Sequence, residues 1–282
     1  MAIKEQKHDT ITEQTEDFMD FDEPVSDPFD LSSITSSRDF PPQKILIYGV
    51  PGVGKTTFAA TFPSPILLRA EDGAAALDIP TFPALITDLK QVDRAVSALL
   101  KPHAFKTLII DSLDWLEPVV WTYTSADAGK ASIEDFGYGK GYVKAEETWR
   151  RIVAKLEKLR QRGMHIITIA HAVPVTYDAP DTDPYQRYSL KLHKRAAAVW
   201  MEWADMVLFL NYRTNVIKSE KEGGKAKAKG SGDRVIHTQE RPAYQAKSRW
   251  PLDADIFVGN DTTWAAFHEQ LNEATQGAYN GN

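Results

Sequence analysis

Cysteine is absent from this chain of 282 residues, and long hydrophobic runs are absent as well. Without cysteine there is no disulfide framework and no thiolate metal site, which is compatible with a reducing compartment. No apolar run approaches the roughly 18 residues that a membrane-spanning helix requires. The first residues also lack the pattern of a signal peptide. We therefore expect a cytoplasmic protein that has no membrane partner.

Negative charge is distributed unevenly along the chain. The first 40 residues hold eleven acidic and three basic residues, whereas the remainder holds 28 acidic and 30 basic residues. Because the first segment lacks periodic apolar positions, it cannot bury enough surface to offset its chain entropy. We predict a disordered acidic tail over 1–40, one domain over 41–275 and a flexible end over 276–282. The tail is either a solubilising segment or an acidic arm that mimics nucleic-acid phosphate or recruits a partner.

The stretch GVPGVGKTT directly follows the apolar run KILIY and precedes a predicted helix. It fits the pattern G-x-x-x-x-G-K-[ST], whose glycines let successive backbone N–H groups face one triphosphate. Lys55 is placed to reach the β- and γ-phosphates, and the Thr56 hydroxyl is suited to bind a bridging Mg²⁺. We expect ATP and Mg²⁺ as cofactors. The nucleotide-binding residues are predicted to be Gly49, Val50, Pro51, Gly52, Val53, Gly54, Lys55, Thr56 and Thr57.

Three further predicted strands end in, or just before, a polar residue: Glu71, Asp111 and His171. In open α/β sheets ligands lie beyond the carboxyl ends of the strands, so these side chains should converge on the phosphate pocket. Glu71 would activate the attacking water, unless it only caps the next turn. Asp111 would support the Mg²⁺ shell together with Thr56. His171 would sense the γ-phosphate, although a lone histidine is often a structural residue.

Two segments, at 125–141 and 172–190, are read as loops in which aromatic and cationic groups alternate. Such a mixture holds single-stranded nucleic acid, because rings stack on bases while cations meet phosphates. An ordinary surface loop explains the first segment equally well. With the basic cluster that follows the second, the predicted DNA-binding residues are Tyr138, Lys140, Tyr142, Lys144, Tyr185, Arg187, Lys191, Lys194 and Arg195.

Lys247 and Arg249 lie two positions apart on a predicted extended segment, so their side chains point the same way. Two such cations can neutralise the charge that develops in phosphoryl transfer. Supplied by a neighbouring subunit, they would make hydrolysis depend on assembly.

With these motifs placed, residues 43–260 resemble the RecA-like P-loop ATPases, in particular the reduced-core versions of bacteriophages, some of which are single-strand annealing proteins. The resemblance implies an α/β fold with a mostly parallel central sheet flanked by helices, followed by antiparallel strands. It also implies catalytic roles for Lys55, Glu71 and His171, the last in place of a glutamine. Lys247 and Arg249 match the trans-acting pair of that family, and the two segments after residues 124 and 171 match its DNA-binding loops.

The resemblance implies an ATPase that binds single-stranded DNA as a ring or filament and promotes annealing or recombination in phage DNA metabolism, within the host cell cytoplasm. A single-strand-binding protein or a helicase would be a further partner. Two alternatives remain: a helicase loader or other replication accessory switch that acts on a protein, and a small-molecule kinase that uses the same phosphate loop.

Overall fold

The computed structural model describes residues 31, 41–73, 77–217, 227–250, 252, 255–259 and 263–277. The acidic tail expected over residues 1–40 lies outside these ranges, apart from Leu31. Most of the flexible end expected over 276–282 lies outside them as well, although the last helix continues to Gly277. Within the described ranges, no helix is long and apolar enough to cross a membrane.

Strands and helices alternate through the first two thirds of the described chain, and antiparallel strands follow. A short 3-10 turn, Ile133–Phe136, precedes the longest helix. The elements are β1 Lys44–Gly49, α1 Lys55–Ala59, β2 Pro65–Arg69, α2 Leu89–Leu99, β3 Thr107–Asp111, α3 Leu113–Asp127, α4 Lys140–Gln161, β4 His165–Tyr177, β5 Tyr185–Leu190, α5 Lys194–Trp203, β6 Met206–Ile217, β7 Lys227–His237, β8 Lys247–Ser248, β9 Asp255–Val258 and α6 Trp264–Gly277.

One sheet with the order β2-β3-β4-β1-β6-β7-β9 organises the domain. The five neighbouring strands β2, β3, β4, β1 and β6 are mutually parallel. Strands β7, β8 and β9 add antiparallel pairs, and β5 pairs antiparallel with β4. The predicted mixed α/β architecture, with a mostly parallel centre and antiparallel strands near the carboxyl end, is confirmed.

The central strands read as continuous apolar runs because both of their faces are covered. Alternate side chains of β1 enter two different cores: Leu46 and Tyr48 pack on one face, and Ile45 and Ile47 on the other. Helices α2, α3, α4 and α5 cover the first face, and α1 with α6 cover the second. This double coverage is what a parallel sheet requires, and it holds the carboxyl ends of the strands in fixed positions.

The structure contradicts the reading of 172–190 as a loop. Strand β4 continues past His171 to Tyr177 and pairs with β5 in a hairpin whose register runs from Ala172 opposite Leu190 to Tyr177 opposite Tyr185. The pairing gives partners to the backbone polar groups that face across the hairpin, and this gain outweighs the local turn signals of Pro and Asp.

The reading of 125–141 as a loop is only partly right. Helix α4 begins at Lys140, after Gly139 at φ 70°, so that Lys140, Tyr142 and Lys144 lie on its first turns. The preceding Tyr138 has φ 48° and is fully exposed.

Candidate nucleotide site

The carboxyl ends of four adjacent strands bring the sequence-predicted side chains to one edge of the sheet. Gly49 at the end of β1 lies opposite His171 of β4, and Asp111 at the end of β3 lies opposite Ile169 of the same strand. The backbone N–H of Glu71, just past β2, donates to the carbonyl oxygen of Asp111 at 3.4 Å. Glu71, Asp111 and His171 therefore border the loop that follows β1.

The loop itself needs glycine at particular positions. A Cβ added at Gly49 would overlap the backbone carbonyl oxygen of Leu210 on β6. Gly52 and Gly54 have φ values of 74° and 95°, in the left-handed region that side chains disfavour. The close approach of β6 and the two left-handed residues explain why this turn is glycine-rich.

Lys55 is almost completely buried, with 5% of its surface exposed. Its Nζ donates to the carbonyl oxygens of Gly49 at 3.2 Å and Val50 at 3.1 Å. Burial lowers the pKa of Lys55, and the carboxylates of Asp111 and Glu71 partly oppose that shift. The ammonium group is thus held against the loop by weak neutral acceptors, which phosphate oxygens would replace favourably.

Thr56 and Asp111 are in direct contact beside the phosphate loop. The Thr56 hydroxyl donates to Asp111 Oδ2 at 2.7 Å. Burial raises the pKa of Asp111, while the Thr56 hydrogen bond and the Lys55 charge oppose this. Hydroxyl and carboxylate oxygens suit Mg²⁺. The described ranges contain no cluster of three or more His, Cys, Asp or Glu that could hold a metal.

Glu71 is a partly buried carboxylate in the neighbourhood of Asp111 and His171. Burial raises the pKa of Glu71, and the neighbouring Asp111 carboxylate raises it further, whereas His171 acts in the opposite direction. A carboxylate whose pKa is raised accepts a proton more readily, and such groups concentrate at catalytic sites. The adjacent Asp72 is exposed and pairs with Arg69 at 3.1 Å instead.

Asp114, which the sequence did not single out, fixes His171. Its carboxylate accepts from the His171 backbone N–H at 3.0 Å and contacts ring Nδ1 at 3.0 Å. Burial alone would raise the pKa of Asp114, but these hydrogen bonds hold that pKa below its ordinary value. No hydrogen bond from another described residue reaches the remaining ring nitrogen, Nε2. The only sequence signal for Asp114 is an acidic residue in the first turn of the helix after Asp111.

A cavity of about 730 Å³ lies beside this pair, between α3, the β4–β5 hairpin and α5. Asp114 belongs to its lining, so the cavity and the nucleotide site share one carboxylate. Lys191 Nζ, on the cavity side, is 3.7 Å from Asp114 Oδ2. The aromatic, aliphatic and cationic lining includes Trp115, Trp121, Val173, Val175, Lys191 and Lys194.

Several predicted DNA-binding side chains have structural partners. Arg187 is 5% exposed, pairs with Glu240 at 2.9 Å and stacks over Tyr177, so little of its side chain is accessible in this structure. Tyr142 stacks on His193 with ring centres 4.1 Å apart and donates to Glu134. Three others have intramolecular contacts: Lys144 with Glu147, Arg195 with Glu146, and Tyr185 with Tyr177. Tyr138, Lys140, Lys191 and Lys194 are exposed.

Lys247 and Arg249 lie at the other edge of the sheet. Lys247 is opposite Val207, near the start of β6, whereas the phosphate loop follows the far end of the neighbouring β1. Arg249 Nε is 3.5 Å from Asp205 and its side chain is 61% exposed. The two cations therefore do not border the phosphate loop of their own chain.

A phosphate loop, a threonine–aspartate pair and a carboxylate with a raised pKa, placed at the carboxyl edge of a mostly parallel sheet, define a P-loop ATPase. A family model described as an AAA domain matches residues 41–250, and the chain belongs to that family. No curated protein matches significantly. A solved structure described as the RadB recombinase is 14% identical over 70% of this chain and 81% of that chain, with a TM-score of 0.38, a likeness too distant to indicate function.

Proposed function

We propose that this chain is a RecA-like, Mg²⁺-dependent ATPase that binds single-stranded DNA as a homo-oligomer and promotes annealing or recombination in phage DNA metabolism. The observation that carries the ATPase part is the 2.7 Å contact between Thr56 and Asp111 beside the phosphate loop. A threonine hydroxyl and a carboxylate in contact beside the phosphate loop are oxygen ligands that would suit a nucleotide-bound Mg²⁺.

Each residue of the site has a distinct role in hydrolysis. Lys55 binds the terminal phosphates, and Thr56 with Asp111 would hold Mg²⁺, which neutralises phosphate charge. Glu71 takes a proton from the attacking water, because burial and Asp111 raise its pKa. Asp114 holds His171 in one orientation, which leaves Nε2 to report the presence of the terminal phosphate.

The cavity beside His171 supports the DNA-binding part of the proposal. Trp115 is 54% exposed, and Lys191 and Lys194 stand at the same cavity, so a base and its phosphates find complementary groups there. The two acidic side chains in the lining are buried and already accept hydrogen bonds: Asp114 from His171, and Glu117 from the His193 backbone N–H at 3.0 Å. The exposed charges at this cavity are thus positive.

The position of Lys247 and Arg249 suits a head-to-tail assembly. The phosphate loop lies at one edge of the sheet and the two cations near the other, so a stack of identical chains would bring one edge against the other. In such a ring or filament each ATP site would receive its cations from the neighbouring chain.

Binding of a fluorescent oligonucleotide tests the DNA part. With a non-hydrolysable ATP analogue and Mg²⁺, Lys191→Ala with Lys194→Ala should weaken binding and reduce the slope of log K against log salt by about 1.4, because two phosphate contacts are lost. Lys90→Ala with Lys158→Ala removes two exposed lysines that do not line the cavity and should leave binding unchanged. Lys55→Ala should abolish nucleotide binding.

If the wild type binds the nucleotide but not the oligonucleotide, the DNA part is refuted. A pull-down with a replicative helicase or a single-strand-binding protein, with and without residues 1–40, then tests the accessory-switch alternative.

A further inference from the structure

The β6–β7 hairpin contacts the phosphate loop at two points. The Tyr212 hydroxyl donates to the carbonyl oxygen of Gly52 at 3.1 Å. Arg234, which is paired with Tyr212 across the two strands, places Nη1 2.6 Å from the position that a Cβ on Gly54 would occupy. One cross-strand pair therefore brings a hydroxyl and a guanidinium onto the loop that the sequence pattern assigns to phosphate.

Arg234 is a partly buried cation. Among the described residues, no Asp or Glu lies within ion-pairing distance of it, whereas Arg187 and Arg195 each pair with a glutamate at 2.9 Å. It lies beside Gly54, the residue that directly precedes buried Lys55. Two positive charges that flank one loop repel each other, so an anion bound at that loop would be favoured by both.

The strand order indicates which phosphates Arg234 reaches. Glu71, Asp111 and His171 follow β2, β3 and β4, which lie on one side of β1. Arg234 belongs to β7, beyond β6 on the other side of β1. It thus approaches the loop from the side away from the water-activating carboxylate, where the phosphates that remain with the departing nucleotide would lie.

We propose that Arg234 is a same-chain phosphate ligand that binds the non-terminal phosphates of the nucleotide. This inference rests on the proposed ATP binding and adds a residue that the sequence pattern does not contain. A guanidinium presents donors in a planar fork that matches two phosphate oxygens, which a lysine cannot reproduce. Because the contact is the same before and after hydrolysis, Arg234 contributes to nucleotide affinity and not to the chemical step.

The test measures the Kd of the full-length chain for ATP, ADP and AMP, and its kcat and KM for ATP. Arg234→Ala should weaken ATP and ADP by a similar factor of about tenfold or more, raise KM, and change kcat by less than about threefold. Arg234→Lys should recover only part of the affinity. Arg213→Ala is the matched control, because Arg213 lies on the same hairpin but stacks on Phe257 at 5.3 Å.

If the wild type binds ATP and ADP and Arg234→Ala binds both with unchanged affinity, the role of Arg234 is refuted while the proposed function stands. A fall in kcat without a change in affinity would also refute it, since that would place Arg234 on the terminal phosphate. Absence of ATP binding by the wild type would refute the proposed function together with this inference. Thermal unfolding of each variant shows whether a loss of affinity is caused by unfolding of the protein.

Discussion

His171 and Asp114 are joined twice: the Asp114 carboxylate accepts the His171 backbone N–H at 3.0 Å and contacts its ring Nδ1 at 3.0 Å. The same carboxylate is 3.7 Å from Lys191 Nζ at the neighbouring cavity. A change at the terminal phosphate that moved His171 would therefore move the partner of a cavity lysine. This shared carboxylate is the physical link that we propose between nucleotide and DNA.

Glu71→Gln should reduce the rate of ATP hydrolysis by about 10² or more, because the amide cannot accept the proton of the attacking water. Nucleotide affinity should change little, since glutamine keeps the size of the side chain and Glu71 is not among the residues expected to bind phosphate. Phosphate release and analogue binding, measured on the same samples, separate the two effects. Asp72→Asn, one residue away on an exposed carboxylate, is the control, and an equal loss in both variants would remove the base assignment.

Gly49→Ala should destabilise the fold by about 3 kcal/mol, because its Cβ would press on the Leu210 carbonyl of an adjacent strand that cannot yield. Gly52→Ala should destabilise the fold by only about 1 kcal/mol. A Cβ at Gly52 would meet no atom within 4 Å, so the left-handed φ is the only source of strain. Urea unfolding of both variants measures the difference. Equal losses would show that β6 does not constrain the loop.

Glu117 should make stability depend on pH. Burial raises the pKa of Glu117 to about 7 from its ordinary 4.5, so the folded chain binds more protons than the unfolded chain between these values. Stability must then fall as pH rises through that window, by up to about 3 kcal/mol. Glu117→Gln keeps the acceptor for His193 and should lack this fall.

Urea unfolding at pH 5 and pH 8 measures the difference between wild type and Glu117→Gln. The excess stability of the wild type over Glu117→Gln should shrink or reverse from pH 5 to pH 8. For Glu147→Gln, at an exposed position of α4, the difference from the wild type should be the same at both pH values. A constant difference for Glu117→Gln would contradict the prediction.

Lys247→Ala should leave ATP binding intact and slow hydrolysis, because under the proposed function the lost cation would act on the terminal phosphate of a neighbouring chain. Lys55→Ala should be inactive for a different reason, the loss of binding in its own site. When the two variants are mixed one to one, about a quarter of the sites should regain both groups, and hydrolysis should recover accordingly. No recovery, with assembly verified by light scattering, would exclude a trans role.

Local sequence patterns were sufficient for the strands and for the edge where they meet. The runs that end in Gly49, Asp111 and His171 are apolar because they are buried on both faces, and their ends converge because the strands are parallel. The placement of Glu71 beside Asp111 follows from the same geometry. These features depend on a few consecutive residues, so periodicity and the phosphate-loop pattern reveal them.

Features that depend on pairing between distant residues could not be predicted. The segment 172–190 contains Pro and Asp and reads as a loop, yet its two halves form a hairpin whose register buries Arg187 against Glu240. Arg234 reaches the phosphate loop only because β7 pairs with β6 in one register, with Tyr212 opposite. No spacing along the chain indicates either contact.

The most direct test of the link between the two sites is the rate of phosphate release with and without saturating single-stranded DNA, for the wild type, Asp114→Asn and the control Asp127→Asn. The wild type and Asp127→Asn should be stimulated by DNA. The DNA-stimulated rate of Asp114→Asn should be about tenfold lower than that of the wild type, or lower still. The reason is that an amide binds His171 and Lys191 more weakly than a carboxylate does. A wild-type rate that does not respond to DNA, or an Asp114→Asn rate that responds like the wild type, would contradict the proposed coupling.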